Sequence, residues 1–580
     1  MQRVPKDLPP TKLQTKIVSM NAMYRQSLIW GALFLSIGFF CVFELTRFVP
    51  LYSDEISYKI LYARYFLDKG VVPTLYPTCR MNLTPHFPWS FVPFKVIESL
   101  IYQDLSFPLK LRYFGMFYFL IYLGLAYLLT QERFKNLKDW SSLKSIIWVL
   151  GLSSLGMLPF IMVLNRPELP ILIFLMVLMA LTGKDSSWLS RSKFSAALGT
   201  VFYFLCVLGL FSYHPKLLFF TPFMLAVGFL VFKKRLQQIL IAAGVLVSAL
   251  HNFVFWKEQI ACPLDSKARA SLAYNVISNL NGPLRIGEVI RQLLLNLKSS
   301  VDYFRLLKFS GGGWVLYLPD LGKNGLMTNP FWALCFKLWN GCFLFLILSF
   351  AGIVSFSFAV RVISIFKKRA RLSESLLFFS LLISFLTLLA MTIRKTFYDS
   401  TLIVPLFFIL CMEAFPKLPE AWREKIMKIL LPGVLILGLA SQCILLANYS
   451  KFKGEWTLGG DIPGMLFGSS GYHSEEINHR VVKLGQKCGI FPNSGVKHVI
   501  LDELSYPSYW KTNEPYHALF LLMGRTEQEE LSHLNSFLRQ HQSGGYLARC
   551  RHLVGKWAEV AKRDGDMCCI PAFSSGDGLK

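Results

Sequence analysis

Residues 27–50, SLIWGALFLSIGFFCVFELTRFVP, run directly into LYSDEISYKILYARYFLDKG at 51–70. The first stretch is apolar over roughly the 20 residues needed to cross a hydrocarbon core about 30 Å thick. It is too long for the apolar region of a cleaved signal, and no small-residue cleavage site follows it, so it reads as a retained first span. It ends at two adjacent acids, Asp54 and Glu55. What that acidic pair does at the mouth of a span decides how the rest of the chain is read.

The whole chain follows the pattern of its first span. Of 580 residues, 53% are hydrophobic, 15% aromatic and only 17% charged, against about a quarter charged in soluble domains. The apolar residues cluster in blocks, and the reading is a polytopic α-helical membrane protein of about eleven transmembrane helices. The expected spans are 27–50, 111–130, 145–165, 169–183, 196–213, 217–232, 236–256, 330–358, 373–393, 400–413 and 428–448. Lys and Arg gather in alternate gaps. They lie in the basic arm 1–26, then at Arg133–Lys144, Lys184–Lys193, Lys233–Arg235, Arg361–Arg371 and Lys417–Lys428. Short loops rich in Lys and Arg stay in the cytoplasm. Much of the net charge of +26 is therefore topology, and no nucleic-acid partner is implied. The loops 51–110 and 257–329 and the segment 449–580 fall on the outer side.

Cysteine placement agrees with this. Six cysteines lie in spans (Cys41, Cys206, Cys335, Cys342, Cys411, Cys443) and six on the outer side (Cys79, Cys262, Cys488, Cys550, Cys568, Cys569). An even outer set suits disulfides in an oxidising compartment. The spacing does not fix the pairing, although Cys568-Cys569 lacks the CxxC spacing of a redox pair.

Four outer features bear on function. Ser53 can cap a helix from Asp54 to Gly70, with Ile56, Ile60, Ala63 and Leu67 as an apolar stripe lying at the interface. In that helix the acids are explained by capping and dipole chemistry as readily as by catalysis. Asn165-Arg166-Pro167-Glu168 separates two spans with almost no loop, and ionisable groups so near hydrocarbon either snorkel or serve a function. His214 and Lys216 stand in the turn FSYHPKLLFF, as a site or as a wet turn. Arg394, Lys395 and Tyr398 stand in IRKTFYD, where short-loop cations are disfavoured, and Arg80 adds charge in the first loop. Outer carboxylates and outer cations thus come from separate turns. A carboxylate can take a proton from a hydroxyl or amine, and cations can hold phosphate. Together they suit group transfer from a lipid phosphate.

With these residues in place, the chain resembles the GT-C superfamily of membrane glycosyltransferases, which includes protein O-mannosyltransferases and the lipid A aminoarabinose transferase. The resemblance covers roughly 27–415, read as a GT-C-like transmembrane catalytic domain within 27–448. Asp54 and Glu55 match the acidic motif after the first span, Glu168 the acid of the second outer loop, and HPK at 214–216 and RKTFYD at 394–399 the later basic turns. The resemblance implies a polyprenyl- or dolichyl-phosphate sugar donor and an inverting transfer to an acceptor at the outer face. Asp54 is then the general base, with Glu55 beside it and Glu168 positioning the acceptor. Arg80, His214, Lys216, Arg394, Lys395 and Tyr398 hold the leaving phosphate. The acceptor (protein, glycolipid or polysaccharide) is left open. So is the membrane: plasma membrane in a bacterium, endoplasmic reticulum in a eukaryote. Relatives differ in divalent-metal use, and no His and carboxylate cluster is spaced for ligation, so no metal site is expected.

The loop 257–329 is long for a connector. Residues 285–299 have helical spacing, and they either cap a cleft or simply pack. Gly311-Gly312-Gly313 lacks phosphate-loop spacing. Residues 449–580 read as a small α/β domain with strands at 498–503 and 545–553 and a helix at 526–541. Asn82-Leu83-Thr84 and Asn448-Tyr449-Ser450 are glycosylation sequons. The other functional class, a transporter or lipid flippase, predicts repeated halves and polar residues at span centres, and the sequence shows neither.

Overall fold

The computed structural model describes residues 12–46, 72–73, 82–83, 110–135, 140–163, 167–182, 193–259, 293–298, 328–368, 372–391, 400–452, 471–491, 499–501, 516–518, 544–550, 555–565 and 567–571, with a few single positions between them. Asp54, Glu55, Arg80, Arg394, Lys395 and Tyr398 lie outside the described residues. So do the expected helices 54–70 and 526–541, Cys79, Cys262, Gly311–Gly313 and most of the loop 257–329.

The described N-terminal part is helical wherever a span was expected. The helices are α1 (Lys12–Thr46), α2 (Lys110–Phe134), α3 (Ser142–Ser153), α4 (Leu158–Met162), α5 (Glu168–Ala180), α6 (Lys193–Tyr213), α7 (Thr221–Val231), α8 (Arg235–Gln259), α9 (Pro330–Phe366), α10 (Leu376–Met391), α11 (Ser400–Ala414) and α12 (Glu420–Phe452). Among the described residues, three stretches are long and apolar enough to cross a membrane: Arg235–Glu258, Pro330–Phe366 and Glu420–Ala447. Shorter apolar stretches include Gln26–Val42, Ala197–Tyr213 and Leu376–Ala390. Three expected spans are not single helices: 373–393 opens with a 3-10 turn, Leu372–Glu374, before α10, and two others are interrupted. The span 145–165 breaks between α3 and α4, where Gly156 takes a positive φ of 55°. The span 217–232 begins as a 3-10 turn, Pro215–Phe220, because two prolines (Pro215, Pro222) interrupt regular amide donation there.

Burial is sorted as a lipid-facing bundle requires. Trp30, Phe34 and Ile37 on α1, Phe117 and Leu120 on α2, Phe202 on α6, Leu250 on α8 and Phe345 on α9 all point outward. Polar groups turn inward, where hydrogen bonds are available. α12 packs on α1 and α3, and α2 packs on α3 and α5. A second group forms from α6, α7, α8 and α10, with α11 lying between α5, α9 and α10. Small residues allow the close approaches. A Cβ on Gly151 would sit 2.5 Å from Val434 Cγ1, and one on Gly115 would sit 1.8 Å from the Val163 carbonyl oxygen. The second contact fixes the start of α2 against the chain just before Glu168. Polar contacts at mid-bundle tie helices together: Gln442 donates to the Leu35 carbonyl at 3.0 Å and to Ser154 Oγ at 2.8 Å.

Residues 293–298 are helical, in line with their spacing. Asn296 donates its amide to the Leu389 carbonyl at 2.6 Å, which docks this stretch on α10.

The C-terminal segment contains α13 (Gly471–Gln486), α14 (Lys556–Val560) and a five-stranded sheet. Its strands are β3 (Val499–Leu501), β4 (Tyr516–Ala518), β5 (Gly545–Arg549), β6 (Lys562–Asp564) and β7 (Met567–Ile570), in the order β4-β3-β5-β7-β6. The short pair β1 (Val72–Pro73) and β2 (Asn82–Leu83) lies in the first loop. β4, β3 and β5 run parallel, while β5, β7 and β6 run antiparallel. Both expected strands are present. Cys568 and Cys569 are neighbours on β7, so their side chains leave opposite faces. Cys569 bonds Cys488 behind α13 and Cys568 bonds Cys550 after β5. The two bridges therefore pin opposite faces of one strand. The six cysteines of the spans are all unbridged.

Candidate functional site

Of the nine residues singled out in the sequence, Glu168, His214 and Lys216 are described. The fold brings all three together. Glu168 opens α5 directly after Pro167, with its carboxylate in the first turn, where the helix N-terminus favours negative charge. It is wholly buried, at 0% exposure, so it does not snorkel to water. Its charge is met by the Lys216 ammonium, which donates to Oε1 from the 3-10 turn 48 residues later in the chain. Lys216 is itself 9% exposed. The turn at 214–220 is thus not a wet turn. Two buried charges of opposite sign sit at this end of the bundle, and each makes the other tolerable.

His214 holds the turn in shape. In extended backbone geometry (φ −159°), it accepts the Lys216 amide N–H at Nδ1, 3.1 Å away. With Nδ1 accepting, the proton of a neutral ring resides on Nε2. The imidazole lies 6.2 Å from the Trp256 ring near the end of α8. α8 packs along this turn, and side chains tie the turn to α5 through the ion pair and to α8 through the ring pair. A third tie runs from α10, where Thr387 Oγ1 donates to the Phe219 carbonyl at 3.4 Å.

α8 carries polar groups that the sequence reading passed over. Asn252 is 1% exposed, and its amide nitrogen and oxygen have no hydrogen-bond partner among the described residues. The same holds for the Trp256 indole N–H. His251 stacks on Phe255 at 6.3 Å. His-Asn inside an otherwise apolar span was a usable signal, because polar groups at membrane depth are costly.

A second charged cluster stands at the other end. Arg133, near the end of α2, donates Nε to Glu413 Oε1 at 2.5 Å near the end of α11. Arg361 on α9 reaches the Glu413 carbonyl at 2.9 Å, Ser357 Oγ at 3.2 Å and Ser375 Oγ at 3.4 Å. Its guanidinium also lies 4.6 Å over the Phe378 ring. From Gly115, beside the Glu168 end, α2 rises about 27 Å to Arg133. The two clusters are therefore about a hydrocarbon core apart. Among the described residues no group of three or more His, Cys, Asp or Glu side chains is placed to hold a metal ion.

No protein-family model matches the chain, and no curated protein matches it. Solved structures do. ArnT from Cupriavidus metallidurans, bound to undecaprenyl phosphate, is similar over 95% of this chain and 99% of its own, with 12% identity and a TM-score of 0.43. The oligosaccharyltransferase AglB from Archaeoglobus fulgidus, in complex with an inhibitory peptide and a dolichol-phosphate, is similar over 90% of this chain and 69% of its own, with 12% identity and a TM-score of 0.41. Both are membrane glycosyltransferases of the GT-C superfamily, whose pattern the sequence resembles.

Proposed function

We propose that this protein is a membrane glycosyltransferase that moves a sugar from a polyprenyl- or dolichyl-phosphate carrier to an acceptor at the outer membrane face. Eleven crossings place the N-terminus inside and 449–580 outside, with that last segment as a separate soluble domain. One observation carries the reading. Glu168 and Lys216, singled out in sequence as an acid and a cation from two different outer turns, meet as a buried ion pair at one end of the bundle. A bundle that only needed to fold could have closed this end with apolar side chains at no loss of stability.

In this reading the acceptor hydroxyl or amine attacks the anomeric carbon, the bond from that carbon to the phosphate oxygen breaks, and the configuration inverts. The acceptor proton passes to the Asp54 carboxylate, with Glu55 beside it, and the carrier phosphate departs. Arg80, Arg394 and Lys395 balance the developing phosphate charge, Tyr398 and the His214 Nε2–H donate to it, and Glu168 positions the acceptor. An ammonium has three donors, so Lys216 can serve Glu168 and a phosphate oxygen together.

The test is full-length protein in liposomes with a panel of radiolabelled polyprenyl-phosphate sugars, comparing wild type with Asp54→Asn. Sugar release or transfer by wild type, with loss of about a thousandfold or more in the variant, is expected for removal of a general base within a working site. Turnover that survives Asp54→Asn moves the base elsewhere. No turnover with any donor, alongside lipid movement across the bilayer, overturns transfer in favour of transport.

A further inference from the structure

The Asn252 amide and the Trp256 indole N–H on α8 have no hydrogen-bond partner among the described residues. Asn252 and Trp256 are four residues apart, so they share one face of the helix, with Asn252 about 6 Å deeper. Trp256 meets His214, which places this face beside the turn that also carries Lys216. A buried primary amide with both its donor and its acceptor unmet is costly, and a bundle of this size has apolar side chains that would fill the same space. The chemistry of the two groups limits what would satisfy them. An amide offers two donors and an acceptor, and an indole offers one donor. A phosphate has only acceptors and would be repelled by the amide oxygen. A pair of hydroxyls both donates and accepts.

We infer that Asn252 and Trp256 form the subsite that reads the hydroxyl groups of the transferred sugar, deeper in the bundle than the His214–Lys216 turn. Asn252 accepts from one hydroxyl and donates to its neighbour, and Trp256 donates to a third oxygen while its ring covers an apolar face of the sugar. This rests on the glycosyl-transfer reading and deepens it: Asn252 and Trp256 decide which sugar is taken, whereas the turn handles the phosphate.

The experiment uses the full-length protein in liposomes, a donor that wild type turns over, and that donor's monodeoxy analogues. Asn252→Leu preserves volume and removes both polar atoms, and Trp256→Phe removes the indole N–H. For Asn252→Leu we expect kcat/KM with the intact donor to fall roughly tenfold to a hundredfold. For the two deoxy donors that lack one of the hydroxyls Asn252 meets, the difference between variant and wild type is expected to shrink, because one of the two hydrogen bonds is already missing, whereas the other deoxy donors should keep the full difference. Binding of the bare polyprenyl phosphate stays unchanged, and Tm does not fall, since an unmet amide has been replaced by an apolar group. An equal loss across all deoxy donors together with a lower Tm would show that Asn252 serves the fold and would overturn the subsite. Wild-type kinetics in both Asn252→Leu and Trp256→Phe overturn it as well, while leaving transfer itself standing. Absence of turnover in wild type with every donor overturns both readings together.

Discussion

The two ends of the bundle use the same residue types differently. At one end a carboxylate, Glu413, is held by Arg133, and a neighbouring Arg361 spends its donors on two serine hydroxyls and a carbonyl while resting on a phenyl ring. The groups that converge there arrive from four segments, and most of their bonding capacity is used inside the protein. At the other end Glu168 and Lys216 form one buried pair across a 3-10 turn, with unmet polar groups of α8 near at hand. A saturated cluster holds helices in place. A charge pair in irregular backbone, next to polar atoms without partners among the described residues, is what a binding site looks like before its ligand is considered.

Single neutralisations should have the largest effect and should not tell the ends apart by stability. Glu168→Gln leaves the buried Lys216 uncompensated, and Glu413→Gln takes the carboxylate away from the partly exposed Arg133 and the buried Arg361 beside it; each is expected to cost about 3–5 kcal/mol, read as a lower Tm in detergent. Turnover should separate them. The double variants sharpen this: Glu413→Leu with Arg133→Met should recover much of the lost stability and keep turnover, whereas Glu168→Leu with Lys216→Met should recover stability and stay inactive. An active Glu168/Lys216 double variant would reduce that pair to a fold element and erase the difference between the ends.

Next in size is Gly115→Ala. Its Cβ would meet the Val163 carbonyl at 1.8 Å, so α2 must shift, at a cost of about 1–3 kcal/mol. Because Val163 leads into Glu168, turnover should fall by more than the loss of folded protein explains. Ser375→Ala, at the opposite end, removes one hydrogen bond to Arg361. It should cost about 1 kcal/mol and leave turnover per folded molecule unchanged. Equal effects on turnover at both ends would break the distinction.

The smallest effect calibrates the others. Arg480 donates to Asp564 at 3.0 Å on the exposed surface of the C-terminal sheet, and this hydrogen bond holds the Asp564 carboxyl below its usual range. A depressed folded-state value adds stability above the unfolded value near pH 4, and that stability is lost as pH falls through the lower one. Exposure limits it to roughly a few tenths of a kcal/mol. Asp564→Asn should therefore cost those few tenths of a kcal/mol at neutral pH, cost nothing once the carboxyl is protonated, and so flatten the acid limb of the stability curve slightly.

Much of this was legible in the chain. Apolar blocks of span length, prolines and glycines at their ends, and the alternation of basic gaps fixed where helices form, because each depends on residues close in sequence. Glu168, His214 and Lys216 could be singled out because ionisable groups between apolar spans are rare. The adjacent cysteines at 568 and 569 pointed to bridges, and strand geometry explains why they need two separate partners. What could not be read was convergence. Nothing in NRPELP or FSYHPKLLFF says that these two turns touch; a pairing over 48 residues depends on how α5, α6 and α7 pack. The Arg133–Glu413 cluster was hidden for the same reason, since Arg133 and Glu413 are 280 positions apart and Arg133 alone reads as a topology signal. Asn252 was visible as a letter, but its burial and its unmet amide exist only once α8 lies against the turn. The sequence by itself determined the helices, the sidedness expected of them and the residues too costly to place idly. The tertiary structure alone decided which of those residues share a low-dielectric space, because that depends on distances between segments that no local pattern encodes.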